Sequence, residues 1–397
     1  MSLGIYISVP FCRTKCSYCN FASDVFSRAL FAQYVNRVCA DVANAANTAA
    51  EMGGRIEREV DSIYLGGGTP TILEAVQLRR IFDAVRDQFS VLPDAEITVE
   101  CAPGTLTPQV LDGLVSCGVN RVSLGVQSFV DAEAAAVGRL HKRATVLDDI
   151  ARLRSAGITN LNVDLIAGLP HQTAESWRVS VEETIATGVP HVSVYMLEVD
   201  EDSRLGSELI AGGTRYHAHF VPDEDVTSDF YLAACEMLEA AGVSQYEISN
   251  FSRAGFESRH NLKYWTRQPY FGFGVDAHSM LSSASPAAGS VRFAASDALE
   301  RYVAGSPLQR TEVSPEAALE ECFFLGLRLN RGVDLRMITA SYGFPAVQEL
   351  EPTIARLVDD GLIQRDDDCI RLTARGRLLS NEVFQAFLAP VPVPHTS

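Results

Sequence analysis

The chain has 397 residues, of which 47% are hydrophobic and 21% are charged. This is the composition of a globular protein that can bury a large core, and at roughly 150 residues per domain the length suggests two or three domains. The formal net charge of −17 argues against non-specific binding to nucleic acid or to an anionic membrane surface, because both need a cationic patch.

The cysteines and the apolar runs indicate the cellular location of the protein. There are nine cysteines, an odd number, and most are scattered through apolar stretches as in a reduced protein rather than in a disulfide framework. The first residues lack the basic region of a signal peptide, and no apolar run approaches the roughly 18 residues that a membrane helix needs. We therefore expect a soluble, cytoplasmic protein without a transmembrane segment.

Short β-branched runs alternate with helical patterns through the first half of the chain. Alternation of this kind predicts a parallel sheet with right-handed crossovers, here an open, partial (β/α)6 TIM-type barrel in the α/β class. The predicted strands are 5–9, 62–65, 96–99, 121–126, 160–166 and 191–196. The predicted helices between them are 29–52, 75–89, 107–117, 131–156 and 173–187, with Thr71 as a plausible cap of the second.

The second half of the chain has a looser pattern. We expect residues 1–205 to form the barrel and residues 206–306 to form a middle segment that covers its mouth. Residues 307–389 combine helices with a short hairpin, which predicts a C-terminal winged-helix-like module, and 390–397 should be a disordered tail. The hairpin turn at 365–368 is acidic, so packing or protein interaction is a better reading of this module than DNA binding.

Three cysteines lie in a loop directly after the first predicted strand. Cys12, Cys16 and Cys19 form a C-x3-C-x2-C pattern. Thiolates are soft ligands, and three of them can hold three irons of a [4Fe-4S] cluster while the fourth iron stays open. A zinc site is the alternative, but zinc sites usually show a second ligand pair at defined spacing and none appears downstream. Chance is the other alternative.

Polar residues follow the next predicted strands at their carboxyl ends, where barrels place their sites. A run of three glycines, Thr69 and Pro70 follows the second strand, where glycines allow close backbone approach to a ligand. Glu100 ends the third strand, Gln127 follows the fourth, and Asp164 lies in the fifth. Each carboxylate or amide alone could be a helix cap or a buried structural group, and only the shared location favours one site.

These motifs resemble the radical S-adenosylmethionine (SAM) enzymes, and specifically the branch similar to oxygen-independent coproporphyrinogen III oxidase. The resemblance covers nearly the whole chain. It implies that the open iron binds SAM and that an electron from the cluster splits SAM to a 5′-deoxyadenosyl radical. It also implies that the SAM-binding residues are Tyr6, Tyr18, Gly67, Gly68, Thr69, Glu100, Gln127, Arg139 and Asp164.

Two readings compete within this branch. True coproporphyrinogen oxidases carry C-x3-C-x2-C-x-C and an N-terminal arm ahead of the barrel. Here Phe21 replaces the last cysteine and only eleven residues precede Cys12. Both departures match the HemW family, which are haem chaperones that deliver haem to haem-requiring proteins such as respiratory oxidoreductases.

That family carries an H-N-x-x-Y motif, which is present here from His260 to Tyr264. A neutral imidazole is a common axial ligand of haem iron, so His260 is the predicted haem ligand. Tyr264 and Trp265 could pack on the macrocycle, and Arg259 and Lys263 could pair with its propionates. The alternative is a structural histidine, and His278 is a second candidate for contact with haem or substrate.

The resemblance therefore implies a protein that binds haem, a [4Fe-4S] cluster and SAM. The implied partners are haem-accepting respiratory proteins and an electron donor to the cluster, with a homodimer possible and no nucleic acid. The alternatives are a porphyrinogen decarboxylase, a porphyrin-directed methyltransferase, or a sensor whose cluster reports oxygen or iron.

Overall fold

The computed structural model describes residues 1–285 and 289–388. Parallel pairings join the first, third, fourth, fifth, sixth and seventh strands in that order. The set does not close on itself, because other strands pair with its two outer members. The predicted open, partial barrel is thus confirmed. The strands are β1 (Leu3–Val9), β2 (Gly54–Arg55), β3 (Glu59–Gly67), β4 (Ser90–Cys101), β5 (Arg121–Gln127), β6 (Asn160–Ala167) and β7 (His191–Met196).

Each strand has an apolar face toward the helices and a more polar face toward the barrel interior. In β1, Leu3, Ile5 and Ile7 are fully buried in the main core, whereas Tyr6 faces Tyr64 across the interior with ring centroids 6.1 Å apart. The two-residue period of a strand produces this division. The covering helices are α1 (Arg28–Ala43), α2 (Ala45–Glu51), α3 (Ala75–Gln88), α4 (Pro108–Ser116), α5 (Asp131–Ala136), α6 (Arg143–Ser155) and α7 (Ala174–Thr187).

Some helix predictions were wrong in detail. The predicted helix 29–52 is two helices that meet at Asn44, and the predicted helix 131–156 is interrupted near Gly138, whose φ is +83°. A left-handed residue cannot continue an α-helix. Thr71 does not cap α3: the cap is Glu74, and the buried Thr71 hydroxyl instead lies 2.6 Å from that of Thr105.

The middle segment extends the barrel sheet at both edges. Its strand β10 (Tyr270–Gly274) pairs in parallel with β1, and its strand β9 (Asn250–Ser252) pairs antiparallel with β7, so that one 13-stranded sheet results. The last strand of this sheet lies beyond the predicted boundary at residue 307, and the domain limits stay predictions. The elements are α8 (Arg204–Ala211), α9 (Glu224–Ala240), β8 (Ser244–Gln245), β9 (Asn250–Ser252), α10 (Arg259–Trp265), β10 (Tyr270–Gly274), β11 (His278–Ser283), β12 (Ser290–Ala294), α11 (Leu299–Val303) and β13 (Gln309–Val313).

A smaller C-terminal module has its own core and a three-stranded antiparallel sheet, as the winged-helix-like prediction requires. Glu321 of this module pairs with Arg267 and Arg292 of the middle segment, each at 2.7 Å. The elements are α12 (Pro315–Gly326), β14 (Val333–Asp334), α13 (Leu335–Tyr342), α14 (Phe344–Asp359), β15 (Ile363–Asp366), β16 (Cys369–Leu372), α15 (Ala374–Leu378) and α16 (Ser380–Gln385). The predicted disordered tail, 390–397, lies outside the described residues.

Within the described ranges, no helix combines the length and the apolar character that a bilayer crossing requires.

Candidate functional site

The cysteine loop is tied down at its base and along its length. The backbone N–H of Cys12 donates to the carbonyl of Asp24, and the N–H of Asp24 donates to that of Pro10, both at 3.0 Å. The Thr14 hydroxyl donates to the Gly138 carbonyl at 3.0 Å. Because these bonds close the loop at the carboxyl end of β1, the three thiols are held at the edge where the parallel strands end.

The glycine run after β3 packs directly under this loop. The N–H of Gly68 donates to the Val9 carbonyl, and the N–H of Thr69 donates to the Phe11 carbonyl, both at 2.7 Å. A Cβ atom on Gly68 would lie 2.7 Å from the Phe11 oxygen and 3.1 Å from the Sγ of Cys12. Only glycine therefore fits at this position without a shift of the cysteine loop.

A cavity of about 330 Å³ opens at the carboxyl ends of the strands. Its lining contains every predicted SAM-binding residue except Tyr6, together with the three cysteines of the loop. The predicted residues brought together here are Cys12, Cys16, Tyr18, Cys19, Gly67, Gly68, Thr69, Glu100, Gln127, Arg139 and Asp164.

Two half-buried carboxyl groups, those of Glu100 and Asp164, line this cavity. Glu100 accepts a hydrogen bond from the Tyr64 hydroxyl at 2.9 Å. Asp164 accepts from the Ser123 hydroxyl at 3.0 Å and from the Asn162 amide at 2.7 Å. Burial, followed by the nearby Asp164, raises the pKa of Glu100 to about 7. A cationic ammonium group bound beside Glu100 would stabilise the ionised carboxylate and lower this pKa.

Gln127 and Arg139 also line this cavity. Gln127 has a φ of +69°, an uncommon conformation that turns the chain at the end of β5. The guanidinium of Arg139 donates to the Gly125 carbonyl and lies 3.6 Å from the Sγ of Cys16. Its Nε is buried and has no hydrogen-bond partner among the described residues, so a donor remains for a bound ligand.

The donor set fits an iron–sulfur cluster and SAM. Three thiols, an unpartnered guanidinium Nε and two carboxyl groups line one cavity. In the described part of the chain, no three His, Cys, Asp or Glu side chains converge closely enough to hold a single metal ion. A cubane cluster takes each thiolate on a different iron, and the three loop cysteines are suited to that arrangement.

His260, the predicted haem ligand, lies deep inside the barrel rather than at its mouth. It is 1% exposed, its Nδ1 lies 3.0 Å from the Ser62 hydroxyl, and its Nε2 lies 2.9 Å from the Tyr264 hydroxyl. Burial, followed by the charges of Lys263 and Arg121, lowers the pKa of His260 to about 3. Both nitrogens of this neutral ring are thus engaged, and haem ligation by His260 stays a prediction.

The rest of the H-N-x-x-Y segment is also engaged within the protein. Glu96 of β4 accepts hydrogen bonds from the backbone N–H groups of Arg259 and His260, each at 3.1 Å, and so holds the first turn of α10. The Lys263 ammonium is 2% exposed and pairs with Asp61 at 2.8 Å. The first turn of α10 and its Lys263 are therefore held by residues of β3 and β4, and covering of the barrel mouth by the middle segment stays a prediction.

A second cavity of about 270 Å³ lies beside the first, and it is called the aromatic cavity because Tyr6, Phe21, Tyr264 and Tyr270 line it. The two cavities share Phe21, Ser23 and Gly67. Tyr264, Tyr270 and Asp276 form part of the wall, and His278 stands at the rim with its side chain 67% exposed.

Several further residues line the first cavity that the sequence motifs did not predict. Ser123 and Tyr64 hydrogen-bond the two predicted carboxyl groups, and Tyr195 lies in β7 on the wall. Tyr195 lies near the carboxyl end of the sixth predicted strand, and this position is the sequence signal that identifies it. Tyr64 and Ser123 lie within strands, and only the alternation of inward-facing positions identifies them.

Comparison with known proteins agrees with this architecture. Residues 6–183 match the Radical SAM superfamily, and residues 313–379 match the HemN C-terminal domain. The haem chaperone HemW of Bacillus subtilis is 35% identical over 96% of this chain and 98% of its own. The Escherichia coli HemW is 30% identical over 98% of each chain. The structure of E. coli coproporphyrinogen III oxidase, HemN, has a TM-score of 0.82 and 24% identity, and it covers 97% of this chain and 90% of its own.

Proposed function

Because the chain belongs to the HemW family of haem chaperones, we propose that it binds haem and transfers it to haem-dependent acceptor proteins. The structural observation that carries this proposal is the cavity of about 270 Å³ beside the cysteine loop. Tyr6, Phe21, Tyr264 and Tyr270 surround it, and aromatic side chains offer large apolar surfaces to a flat macrocycle.

Membership of the radical SAM superfamily implies a [4Fe-4S] cluster and SAM. When bound, the cluster supplies an electron and an open iron to SAM. We propose that Cys12, Cys16 and Cys19 hold the cluster. The residues proposed to hold and orient SAM are Tyr6, Tyr18, Gly67, Gly68, Thr69, Glu100, Gln127, Arg139 and Asp164.

The geometry supports different tasks for these residues. Glu100 can accept hydrogen bonds from the ammonium group of SAM, and Asp164 adds negative charge beside it. The unpartnered Nε of Arg139 can donate to a ligand oxygen. Gly68 has no side chain, and its backbone can therefore pack against the cysteine loop, where a Cβ atom would clash. In a chaperone, SAM bound in this way can act as a fixed cofactor or in a gating step rather than being consumed in decarboxylation.

Haem binding by His260, the ligand predicted from the motif, needs a rearrangement of α10. His260 can bind iron only after the Tyr264 hydroxyl leaves its Nε2 and the ring becomes accessible. Lys263 can meet a propionate only if it gives up its ion pair with Asp61.

We further propose that the acceptors are haem-requiring respiratory proteins, that a separate protein donates electrons to the cluster, and that a homodimer forms. A cytoplasmic location is supported by the cysteines, since all nine are free. Phe21 is exposed where a coproporphyrinogen oxidase would carry a fourth cysteine, and this residue favours the chaperone over porphyrinogen decarboxylation.

A transfer assay tests the proposed function. Cluster-containing protein is loaded with haem under anaerobic conditions and mixed with membranes that contain a haem-free respiratory oxidoreductase. We expect the oxidoreductase to gain haem and activity at a rate above that given by free haem. Equal rates with and without the protein would contradict the proposal, and release of carbon dioxide from coproporphyrinogen III would replace it with the enzymatic alternative.

A further inference from the structure

The histidines differ sharply in their ability to offer a nitrogen to haem iron. The sequence contains eight. His260 and His191 are buried, and both ring nitrogens of each are hydrogen-bonded. His141 is buried and its Nε2 lies 3.1 Å from the Val126 carbonyl oxygen. His171 and His217 lie 3.2 Å apart and engage one another. Among the histidines in the described ranges, His278 is the one that lines the aromatic cavity.

The backbone holds His278 firmly at the rim of that cavity. It begins β11 and pairs with Ala294 of β12. A Cβ atom on Gly272 would lie 2.2 Å from the His278 carbonyl oxygen, and one on Gly274, whose φ is +105°, would lie 2.3 Å from the Ser8 carbonyl oxygen. The turn before His278 is therefore packed tightly against its neighbours, so its position is fixed while its side chain is 67% exposed.

Asp276 lies beside the imidazole. One of its carboxylate oxygens is 3.7 Å from the Nε2 of His278, so a small rotation of either side chain would bring the two atoms within hydrogen-bond distance. Burial, opposed by the neighbouring His278, raises the pKa of this carboxyl. A carboxylate beside a ligating histidine fixes the ring and increases its basicity, which is a common arrangement around metal-bound imidazoles.

Apolar surface lies within reach of the same imidazole. Phe21 is 62% exposed and lines the cavity with Tyr264. The Tyr264 and Tyr270 rings meet edge-to-face with centroids 4.6 Å apart, so that part of the wall is a rigid aromatic pair. An axial nitrogen at the rim and aromatic surface within the cavity are the two elements that recognise a metalloporphyrin.

We propose that His278, rather than His260, is the axial ligand of the haem iron, with the macrocycle lying across the aromatic cavity against Phe21 and Tyr264. The proposal rests on the proposed haem-binding function and assigns its site. It places the haem directly beside the SAM cavity, because Phe21, Ser23 and Gly67 line both. The iron keeps its oxidation state on binding, and the imidazole replaces a solvent ligand without any group transfer.

Haem titration of four cluster-containing proteins tests this assignment: the wild type, His278→Ala, His260→Gln and His219→Ala, all under anaerobic conditions and followed by absorbance in the Soret region. His219 is exposed and lies outside the cavity, so it serves as the matched control. We expect the wild type and the His219 variant to give the same Soret shift and affinity. We expect His278→Ala to bind roughly tenfold more weakly or worse, with a changed spectrum.

Addition of free imidazole separates loss of a ligand from damage to the fold. Imidazole should restore the wild-type spectrum to His278→Ala and leave the His219 variant unchanged. His260→Gln should keep the wild-type spectrum once its folding has been verified by circular dichroism. An unchanged spectrum and affinity in His278→Ala would overturn the assignment of His278 as the ligand but leave the proposed haem binding intact. Loss of the axial ligand in a folded His260→Gln variant would do the same. Absence of haem binding by the wild type would overturn the proposed function itself.

Discussion

The Nδ1 atom of His260 in α10 lies 3.0 Å from the hydroxyl oxygen of Ser62 in β3. The other nitrogen lies 2.9 Å from the Tyr264 hydroxyl, and the side chain is 1% exposed. The ring therefore joins α10 to β3 and supports the wall of the aromatic cavity through Tyr264.

This role predicts a loss of stability on truncation. His260→Ala leaves an internal void and two hydroxyl groups without their partner, and it should lower the free energy of unfolding by about 2–4 kcal/mol. Urea denaturation followed by circular dichroism measures the loss. His219→Ala, at an exposed position, should change the free energy of unfolding by less than about 0.5 kcal/mol. Equal stability of the two variants would contradict the structural role of His260.

The cysteine loop should be necessary for the cluster. Replacement of Cys12, Cys16 or Cys19 by alanine removes one of three protein ligands, so the reconstituted variants should hold little iron and sulfide. Cys235→Ala is the control, because Cys235 packs against the main core and lies outside the cavity. Iron and sulfide analysis after anaerobic reconstitution makes the comparison. A loop variant that kept four irons per chain would show that the cluster is held elsewhere.

The close packing of the glycine run predicts a sensitive position. Gly68→Ala places a Cβ 2.7 Å from the Phe11 carbonyl oxygen and 3.1 Å from the Cys12 Sγ, so the cysteine loop must move. We expect SAM affinity to fall at least tenfold, roughly 1.4 kcal/mol, as measured by equilibrium dialysis. In Gly289→Ala the new Cβ would have no neighbouring atom closer than 3.5 Å, so this variant should bind SAM as the wild type does. Unchanged affinity in Gly68→Ala would refute the proposed position of SAM.

SAM binding should depend on pH through Glu100. The pKa of this carboxyl is raised to about 7, so it is largely neutral below that pH and ionised above it. An ammonium group binds the ionised form, and SAM affinity should therefore fall as the pH decreases from 7 to 5.5, by up to about tenfold per unit. Asp164, Tyr64 and Arg121 act on this carboxyl and contribute to the midpoint.

Glu100→Gln is the control for this titration. It should bind SAM more weakly than the wild type at pH 7 but with little further change between pH 7 and 5.5. A wild-type affinity that is constant over this range would show that Glu100 does not meet the ammonium group.

Local patterns predicted the barrel well because its strands repeat one simple signal. Apolar residues such as Ile5 and Ile7 face the helices, and polar residues such as Glu100 and Asp164 mark the inner face and the carboxyl ends of the strands. The breaks at Asn44 and Gly138 were missed because a periodic apolar pattern continues across them.

The burial of His260 could not be inferred from its neighbours in sequence. It results from the pairing of β10 with β1, which brings residues 270–274 beside residues 4–8 and carries α10 into the barrel. The same pairing places His278 at the cavity rim. Contacts between residues so far apart in the chain leave no periodic signal, and the motif alone therefore pointed to the buried histidine.

We expect this chain to bind haem rather than to convert a porphyrinogen. Anaerobic haem titration of the cluster-containing protein, with a coproporphyrinogen III assay on the same preparation, tests it most directly. We predict stoichiometric haem binding with a Soret shift and no SAM-dependent release of carbon dioxide. Turnover of coproporphyrinogen together with weak, non-saturating haem binding would contradict the proposed chaperone function and identify the protein as a decarboxylase.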